Sequence, residues 1–392
     1  MSDFDELKDL INKYKDENIY LSNLNILVGN NIHEEVVKKL ANYGKKVLFC
    51  TGNTAMRNLG FVDKYKNLFQ KYGLEFTHYD NISANPTLKQ MEVGLEVAKK
   101  IKPDIIFALG GGSVIDTAKA ISVGIYGNIW DFIEKKSEIK SAIPIIASST
   151  TSGTGSQVTP YAVITNTDTL EKKTLKHNLI LPKLSVCDVD ITRHTPRYII
   201  ATTGFDVLCH AVEVYTRLDC SKGAKEFAEK SLTLLSKHLI KSYNNGKIED
   251  KLGMIFADLY AGIALALIGT HVPHAISHPI SARFPLINHG QSLAYVMKIT
   301  SEKQIEKGDN ILKEVFKKAS RLLGGNENFI ETIDNYISEL NLNKEIQKFE
   351  DEDIKLITED TLGYRKKSIE RCPSKLSEEE IKQIIVDSLK SK

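Results

Sequence analysis

The sequence predicts an α/β domain built on a mostly parallel sheet, followed by an all-helical domain. A chain of 392 residues is longer than one ordinary hydrophobic core, so two domains are expected. In the first half, short apolar runs alternate with amphipathic segments, whereas beyond about residue 195 apolar residues recur at helical spacing. The predicted domains are therefore residues 1–195 and residues 196–392.

The predicted strands of the first domain are short apolar runs that end at or near Gly, Ser, Thr or Asp, as buried parallel strands often do. They are NILVG (25–29), KVLFCT (46–51), LEFTHY (74–79), DIIFALGGG (104–112), IPIIASS (143–149) and KLSVCDVD (183–190). Amphipathic segments such as HEEVVKKLANYG predict the intervening helices. In the second half, FDVLCHAVEVYTRL and MIFADLYAGIALALIG predict helices with broad apolar faces.

Composition argues against several kinds of partner. The 52 basic side chains nearly cancel the 50 acidic ones, so neither nucleic acid nor an anionic membrane is an expected partner. The acidic, amphipathic N-terminus does not resemble a signal or transit peptide, and no uninterrupted apolar run approaches the roughly 20 residues of a membrane span. The five cysteines are dispersed and lack CxxC pairing. We therefore expect a reduced, cytoplasmic protein.

A glycine-rich turn is the first candidate binding site. In DIIFALGGGSVIDTAKAIS, Gly111 and Gly112 lie between a predicted strand and a predicted helix whose first turn contains Ser113 and Asp116. Glycines there let a phosphate approach the backbone, and the helix N-terminus stabilises its charge. This pattern predicts a pyrophosphate site, although a tight turn without a ligand has the same composition.

A second loop, SSTTSGTGSQVTPYAVITN (148–166), also follows a predicted strand. The hydroxyls of Thr150, Thr151 and Thr154 are suited to bind phosphate or ribose, although the segment also fits an ordinary Ser/Thr-rich loop. Loops at the carboxyl ends of neighbouring parallel strands converge, so we expect both loops to face one nucleotide.

The second half contains two pairs of metal-ligand residues at helical spacing. Asp206 and His210 are four residues apart, as are His274 and His278, and His289 precedes a glycine. Residues four apart lie on one face of a helix. A single helical histidine is more often a packed or solvated residue, but one carboxylate with three imidazoles suits Fe(II) or Zn(II).

Five motifs in order, NPT (85–87), GGGSVIDTAK, TTSGTGSQVT, FDVLCHAVE and HAISHP followed by HG, resemble the iron-containing (group III) alcohol dehydrogenase family. The resemblance covers nearly the whole chain. It implies the dehydroquinate-synthase-like architecture, with a dinucleotide-binding α/β domain and a helical metal-binding domain. It also implies a metal-dependent, NAD(P)-linked oxidoreductase that interconverts a primary alcohol and an aldehyde by hydride transfer, acting as an aldehyde reductase.

The resemblance also implies roles for single residues. It assigns as ligands of Fe(II) or Zn(II) the residues Asp206, His210, His274 and His289. His278 matches a histidine near the nicotinamide and is a proton-relay candidate, with a structural role as the alternative. The cofactor-binding positions implied by the motifs are Gly111, Gly112, Ser113, Thr150, Thr154 and Lys172.

Two departures from the family pattern affect the predicted specificity. Several NAD-dependent members have an aspartate after the second strand, where this chain has Gly52 and Asn53. Because a carboxylate there would repel a 2′-phosphate, its absence favours NADP(H), with NAD(H) bonded by Asn53 as the alternative. Arg283, near the predicted ligands, suggests a phosphono-, sulfo- or carboxy-aldehyde substrate, unless it points to solvent.

A third departure affects local structure. Pro273 directly precedes His274, which predicts that a helix begins or kinks there, and this leaves His271 without an assigned role.

Other functions remain compatible with the sequence. Dehydroquinate-synthase-like lyases and polyol or glycerol-phosphate dehydrogenases share the fold, and a catalytically silent binding protein is a further alternative. The expected partners are a small-molecule alcohol or aldehyde and, as the commonest assembly, a second copy in a homodimer.

Overall fold

The structure is a computed structural model that describes residues 2–16, 18–244, 246–344 and 348–390. It forms two compact units. The α/β unit contains the described residues up to Thr151 and Gly155–Thr195, and the helical unit contains Ser152–Thr154 and the described residues from Pro196 onwards. The main division therefore lies between Thr195 and Pro196, next to TPRYI, where the periodicity of the sequence changes.

The strands are β1 (Ile26–Gly29), β2 (Lys46–Thr51), β3 (Glu75–Tyr79), β4 (Ile105–Gly110), β5 (Ile145–Ser149), β6 (Tyr161–Asn166), β7 (Glu171–Lys176) and β8 (Leu184–Asp188). A sheet with the order β1-β8-β5-β4-β2-β3 contains parallel neighbours throughout. The predicted strands and the predicted α/β fold class are thereby confirmed. The carboxyl ends of β4 and β5 lie side by side, with Gly110 opposite Ser149.

The hairpin of β6 and β7 departs from the sequence-based prediction, which assigned the segment through residue 166 to a loop. The two strands pair antiparallel, with Tyr161 opposite Lys176 and Asn166 opposite Glu171. Alternation in YAVITN places Ala162 and Ile164 in the core. The preceding run of Ser, Thr and Gly obscures this alternation in the sequence.

The helices of the α/β unit are α1 (Asp3–Tyr14), α2 (Ile19–Ser22), α3 (His33–Leu40), α4 (Ala55–Asn58), α5 (Phe61–Lys71), α6 (Leu88–Ile101), α7 (Gly112–Gly124), α8 (Ile129–Ile133) and α9 (Val189–Thr192). Both faces of the parallel sheet are covered. Apolar residues of α3 and α5 pack on one face, and those of α6 and α7 pack on the other. This two-sided burial explains why the strands read as continuous apolar runs.

The helices of the other unit are α10 (Arg197–Thr216), α11 (Lys222–Asn244), α12 (Ile248–Ile268), α13 (Val272–Arg283), α14 (His289–Lys307), α15 (Asn310–Leu322), α16 (Phe329–Glu339), α17 (Asp351–Leu362), α18 (Lys366–Ile369) and α19 (Glu378–Lys390). Helix α10 is buried over most of its circumference. Polar side chains on such a helix require polar partners, because burying an unpaired polar group is costly.

Helix α12 is long and apolar enough, by length and composition alone, to cross a membrane. Within its most apolar window, however, 72% of the residues are buried inside the protein. This burial is typical of the core helix of a globular unit, and α12 packs closely with α10 and α11.

Helix α13 begins at Val272, with Pro273 in its first turn. The prediction that a helix starts at this proline is confirmed, because a proline in the first turn gives up no intrahelical hydrogen bond. A second proline, Pro279, lies inside the helix directly after His278.

Candidate functional site

The helical unit brings the predicted metal ligands together from three helices. Asp206 and His210 lie one turn apart on α10, His274 lies in the first turn of α13, and His289 is the first residue of α14. One donor atom from each of Asp206, His210 and His274 lies within 4.8 Å of the other two. These three residues are buried.

The distances within the cluster fit a divalent ion. The Nε2 atoms of His274, His210 and His289 lie 3.3, 3.6 and 3.7 Å from Oδ1 of Asp206. Bonds of about 2.1 Å to a tetrahedral ion would separate its ligand atoms by about 3.4 Å. Among the described residues, Asp206 Oδ1 and His274 Nε2 are buried without a hydrogen-bond partner. Burying polar atoms without a partner costs free energy, which binding an ion at this point would offset. The donor types and their spacing suit Fe(II) or Zn(II).

The electrostatics of the cluster also favour a cation. Burial alone would raise the pKa of Asp206, but the imidazoles of His210, His289 and His274 hold it far below its usual range. Burial lowers the pKa of His210. Burial would also lower the pKa of His274, but the carboxylates of Glu213 and Asp206 raise it to about 9. The carboxylate of Asp206 therefore stays ionised among the imidazoles, and its negative charge attracts a cation to the cluster.

The cluster is more open at His289 than elsewhere. The side chain of His289 is 23% exposed, whereas that of Asp206 is 4% exposed and that of His274 is 3% exposed. An exogenous ligand would therefore approach the cluster most easily on the His289 side.

His278, the proton-relay candidate, lies next to the cluster and is buried. Its ring centroid is 6.2 Å from that of His274 and 5.4 Å from that of His289. The ring of His278 therefore lies beside those of two predicted metal ligands.

Two polar side chains that the sequence analysis did not assign support the ligands. Nδ1 of His274 contacts Oε1 of Glu213, and Nδ1 of His289 lies 3.0 Å from Oγ of Ser277. Glu213 belongs to the quoted motif FDVLCHAVE and follows Asp206 by seven residues, which places both on one helical face. An acid on an otherwise apolar helix was the available signal.

His271, to which no role could be assigned from the sequence, is buried immediately before α13. Its backbone N–H donates to Oε2 of Glu213 at 2.7 Å, and its Nε2 lies 3.3 Å from Oγ1 of Thr216. These contacts place His271 beside Glu213, the residue that supports the predicted ligand His274.

Arg283, the predicted contact for an anionic substrate, forms an ion pair within the helical unit. Its Nε and Nη2 atoms lie 2.9 and 2.7 Å from Oδ2 of Asp360 on α17. The ion pair already compensates the guanidinium charge. Arg283 also follows His274 by nine residues, which corresponds to roughly 14 Å along a helix.

The α/β unit places the two predicted nucleotide loops against each other. The backbone N–H of Thr150 donates to the carbonyl of Gly110 at 3.1 Å. A Cβ atom on Gly111 would lie 3.2 Å from Oγ1 of Thr151, so the glycine permits this close approach. Gly112 and Ser113 form the first turn of α7. Their backbone amides are thus available near the adjacent loop, as a pyrophosphate requires.

Asp116 occupies a different position from the predicted cofactor contact. Its carboxylate accepts hydrogen bonds from Oγ of Ser156 at 2.5 Å and from the backbone N–H of Val163 at 2.8 Å. Burial raises the pKa of this carboxyl group. The side chain therefore fastens α7 to the segment that leads into β6, and we correct its assignment from cofactor binding to support of the loop.

A buried lysine, also missed from the sequence, completes this support. Nζ of Lys119 donates to the carbonyl oxygens of Ser156, Thr159 and Tyr161 at 2.6, 2.8 and 2.6 Å. Burial lowers the pKa of Lys119 to about 8. Its spacing of three residues from Asp116 was the available signal.

The remaining predicted cofactor residues lie at three places. Thr154 belongs with the helical unit, not with the α/β unit that holds Thr150 and Thr151. Lys172 on β7 is buried, and its Nζ donates to Oδ1 of Asn85 in the NPT segment at 2.9 Å. Gly52 and Asn53 follow the carboxyl end of β2, and Asn53 is exposed.

Two family profiles together match most of the chain. Residues 23–189 match the profile described as iron-containing alcohol dehydrogenase. Residues 200–389 match the profile described as the C-terminal domain of the Fe-containing alcohol dehydrogenase family. The two matches correspond closely to the two compact units.

Individual relatives agree with the profiles. The NADPH-dependent butanol dehydrogenase of Clostridium saccharobutylicum is 30% identical over 87% of this chain and 91% of that protein. The crystal structure of an archaeal halo-thermophilic alcohol dehydrogenase from a Red Sea brine pool is 32% identical, with a TM-score of 0.89 over 93% of this chain and 97% of that one. The NADH-dependent butanol dehydrogenase A of Thermotoga maritima is 25% identical, with a TM-score of 0.84 over 93% of this chain and 96% of that one.

Proposed function

The chain belongs to the iron-containing alcohol dehydrogenase family and is an NAD(P)-dependent alcohol dehydrogenase; from that premise we propose that it reduces small neutral aldehydes with NADPH. The observation that carries the proposal is a set of one carboxylate and three imidazoles, formed by the buried Asp206, His210 and His274 together with the partly exposed His289. This donor set lies beside His278, a candidate for proton transfer.

Asp206, His210, His274 and His289 would hold the divalent ion. When bound there, Fe(II) or Zn(II) supplies Lewis acidity, which stabilises the negative charge that develops on the substrate oxygen during hydride transfer. The buried position of Asp206 and His274 excludes water from one side of the cluster. The more exposed His289 side is where the substrate would enter.

His278 would hold and move the proton. Reduction of an aldehyde adds a hydride at carbon and a proton at oxygen, and an imidazole can donate the proton near neutral pH. His278 is buried, and its ring lies next to those of His274 and His289. We assign its imidazole to proton transfer because the four other residues already make up a tetrahedral donor set.

The pyrophosphate of the cofactor would bind where the loops of the α/β unit meet. The backbone amides of Gly111, Gly112 and Ser113 would face its charge, and Thr150 and Thr151 would supply the opposing loop. The nicotinamide carries the hydride, and the protein orients it.

The preference for NADPH depends on the end of β2. Gly52 stands where a carboxylate would repel a 2′-phosphate. A Cβ atom at Gly52 would make only ordinary contacts, 3.6 Å from the carbonyl of Ile82 and 3.9 Å from Val114. The position therefore tolerates a side chain, and its glycine leaves room and no negative charge for the 2′-phosphate.

Neutral aldehydes are favoured because Asp360 neutralises Arg283. Relatives include proteins named for butanol and for methanol, which are neutral alcohols. Another relative, 29% identical, is named for hydroxyacids and oxoacids, so the main support for an uncharged substrate is the ion pair.

The test is an anaerobic assay of the Fe(II)- or Zn(II)-loaded protein with butanal and with a carboxylate-bearing aldehyde of equal length. We expect a higher kcat/KM for NADPH than for NADH, and for butanal than for the charged aldehyde. Gly52→Asp should reverse the cofactor preference through repulsion of the 2′-phosphate, with NADH turnover retained. A higher kcat/KM for NADH in the wild-type protein would refute the cofactor assignment, and faster turnover of the charged aldehyde would refute the substrate class.

A further inference from the structure

Glu213 is a buried carboxylate outside the donor cluster, to which the proposed reaction gives no task. It lies on α10, three residues after His210 and seven after Asp206, so all three point from one helical face. Its side chain is completely buried. A buried carboxylate is costly unless its oxygen atoms accept hydrogen bonds, so its partners are informative.

The two oxygen atoms of Glu213 serve two different groups at the start of α13. Oε1 contacts Nδ1 of His274. Oε2 accepts the backbone N–H of His271 at 2.7 Å. His271 is the N-cap residue of α13, and its own side chain makes no capping hydrogen bond. One carboxylate from α10 therefore holds both the imidazole of His274 and the beginning of the helix that carries it.

We propose that Glu213 is the positioning residue that prepares His274 to bind the metal, by holding its proton on Nδ1 and anchoring the first turn of α13. With a proton kept on Nδ1, the nitrogen left to bind the ion is Nε2, which lies 3.3 Å from Oδ1 of Asp206. Hydrogen bonds to the second nitrogen of a ligating histidine fix its tautomer and raise its basicity. This inference rests on the proposed metal-dependent function.

An amide at this position cannot replace the carboxylate. Glutamine has one acceptor oxygen, whereas the two neighbours of Glu213 both present N–H donors. If the amide oxygen accepted from His274, the amide N–H groups would face the N–H of His271. If the amide were reversed, it would donate to Nδ1 of His274 and move the proton to Nε2, the atom that must bind the metal.

His289 has a weaker counterpart of this support. Its Nδ1 lies 3.0 Å from the neutral hydroxyl of Ser277, which in turn lies 2.6 Å from Oγ of Ser292. A hydroxyl orients the ring without adding charge, and His289 is also the more exposed ligand. The supporting groups thus make His274 the more firmly held ligand.

The experiment compares the affinity of metal-free wild-type, Glu213→Gln and Ser277→Ala proteins for Zn(II), by competition with a chromophoric chelator, and for Co(II), by its absorption spectrum. We expect Glu213→Gln to lower the affinity by about 10- to 100-fold. Ser277→Ala should lower it less, because that variant removes a neutral partner.

The matched control is Asp250→Asn. Asp250 accepts a hydrogen bond from Nδ1 of His238 at 3.0 Å. The substitution therefore breaks another histidine–carboxylate pair of the helical unit, and this pair lies outside the metal cluster. Its Zn(II) affinity should equal that of the wild-type protein. Equal affinities of wild type and Glu213→Gln, or an equal loss in Asp250→Asn, would overturn the inference while leaving the proposed function intact.

A second measurement uses only the wild-type protein and so does not depend on the folding of a variant. In wild-type protein loaded with Zn(II) and labelled with ¹⁵N at histidine, His274 should show a metal-bound Nε2 and a slowly exchanging proton on Nδ1. Metal on Nδ1, or rapid exchange of that proton, contradicts the role of Glu213. Absence of Zn(II) binding by the wild-type protein would overturn the proposed function and the inference together.

Discussion

His271, His274 and His278 follow one another at intervals of three and four residues, and their partners give them separate tasks. His274 faces Asp206 with its Nε2 atom and contacts Glu213 with its Nδ1 atom. His271 meets Glu213 through its backbone and Thr216 through its ring. His278 lies beside His289, with ring centroids 5.4 Å apart, and is the proposed proton donor. Residue type alone therefore does not determine function in this segment.

The proton-transfer role of His278 predicts a kinetic effect without a binding effect. Replacing His278 by Gln should lower kcat for aldehyde reduction by about 100-fold or more, because general acid catalysis contributes at least that much. Affinity for Zn(II) should be unchanged, since the ion would be held by other residues. Steady-state kinetics and chelator competition on the same preparations measure both quantities, and a large loss of Zn(II) affinity would assign His278 to the ligands instead.

The buried ring of His271 predicts a pH dependence of stability. Burial lowers its pKa from 6.5 to about 4 in the folded protein. Between these values the unfolded chain binds the proton and the folded protein does not, so the free energy of unfolding falls as pH decreases from 6.5 to 4. The difference of 2.5 units corresponds to about 3 kcal/mol.

Urea unfolding of metal-free wild-type and His271→Gln proteins at several pH values between 4 and 6.5 isolates this contribution. Other titrating groups are common to both proteins, so the difference between their pH profiles reports on His271. The variant should lose less stability on acidification. Parallel profiles would mean that the ring is not kept neutral by burial.

At the scale of secondary-structure elements, close packing of α14 against α10 sets the position of His289. A Cβ atom on Gly290 would lie 1.7 Å from the backbone oxygen of Thr202 on α10. A backbone atom cannot rotate away, so any side chain at position 290 must separate the two helices. The glycine is therefore required for the ligand of α14 to approach Asp206.

Gly290→Ala should accordingly lower Zn(II) affinity, and overpacking should lower the free energy of unfolding by about 1 to 3 kcal/mol. Gly253→Ala is the matched control, because a Cβ there would meet the ring of His238 at 2.3 Å, elsewhere in the same unit. The control should lose stability but keep its affinity for Zn(II). Equal Zn(II) affinities in the two variants would show that α14 does not position its ligand in this way.

The secondary-structure elements and the residues they carry could be predicted from the sequence only in part. Strands β2 and β4 were predicted closely because strands buried on both faces leave uninterrupted apolar runs. The metal ligands of α10 were predicted from the resemblance of FDVLCHAVE to the family motif, and the spacing of four residues places both on one helical face. Glu213 was missed because its partners, on α13, are about 60 residues away in the chain, and only the tertiary structure brings them together. Asp116 was misassigned because spacing does not show whether a side chain faces the ligand or the loop beneath it.

At the scale of the whole molecule, the metal ion and the nucleotide cofactor should stabilise different units. All four proposed metal ligands belong to the helical unit, whereas the glycine-rich loop and Thr150 belong to the α/β unit. A ligand that binds only the folded state stabilises it by about 4 kcal/mol when present at 1,000 times its dissociation constant. Local opening reactions that expose the site are suppressed by the same free energy.

Hydrogen–deuterium exchange of the metal-free protein tests this division. Zn(II) should slow exchange of amides in α10 and in the first turns of α13 and α14, because opening these helices would separate the ligands. NADPH should slow exchange around Gly111, Gly112 and Ser113, whose amides would face the pyrophosphate. Asp206→Asn should abolish the effect of Zn(II) and keep that of NADPH, since it removes the one carboxylate of the cluster. Protection of the glycine-rich loop by Zn(II) in that variant would show that the ion binds elsewhere.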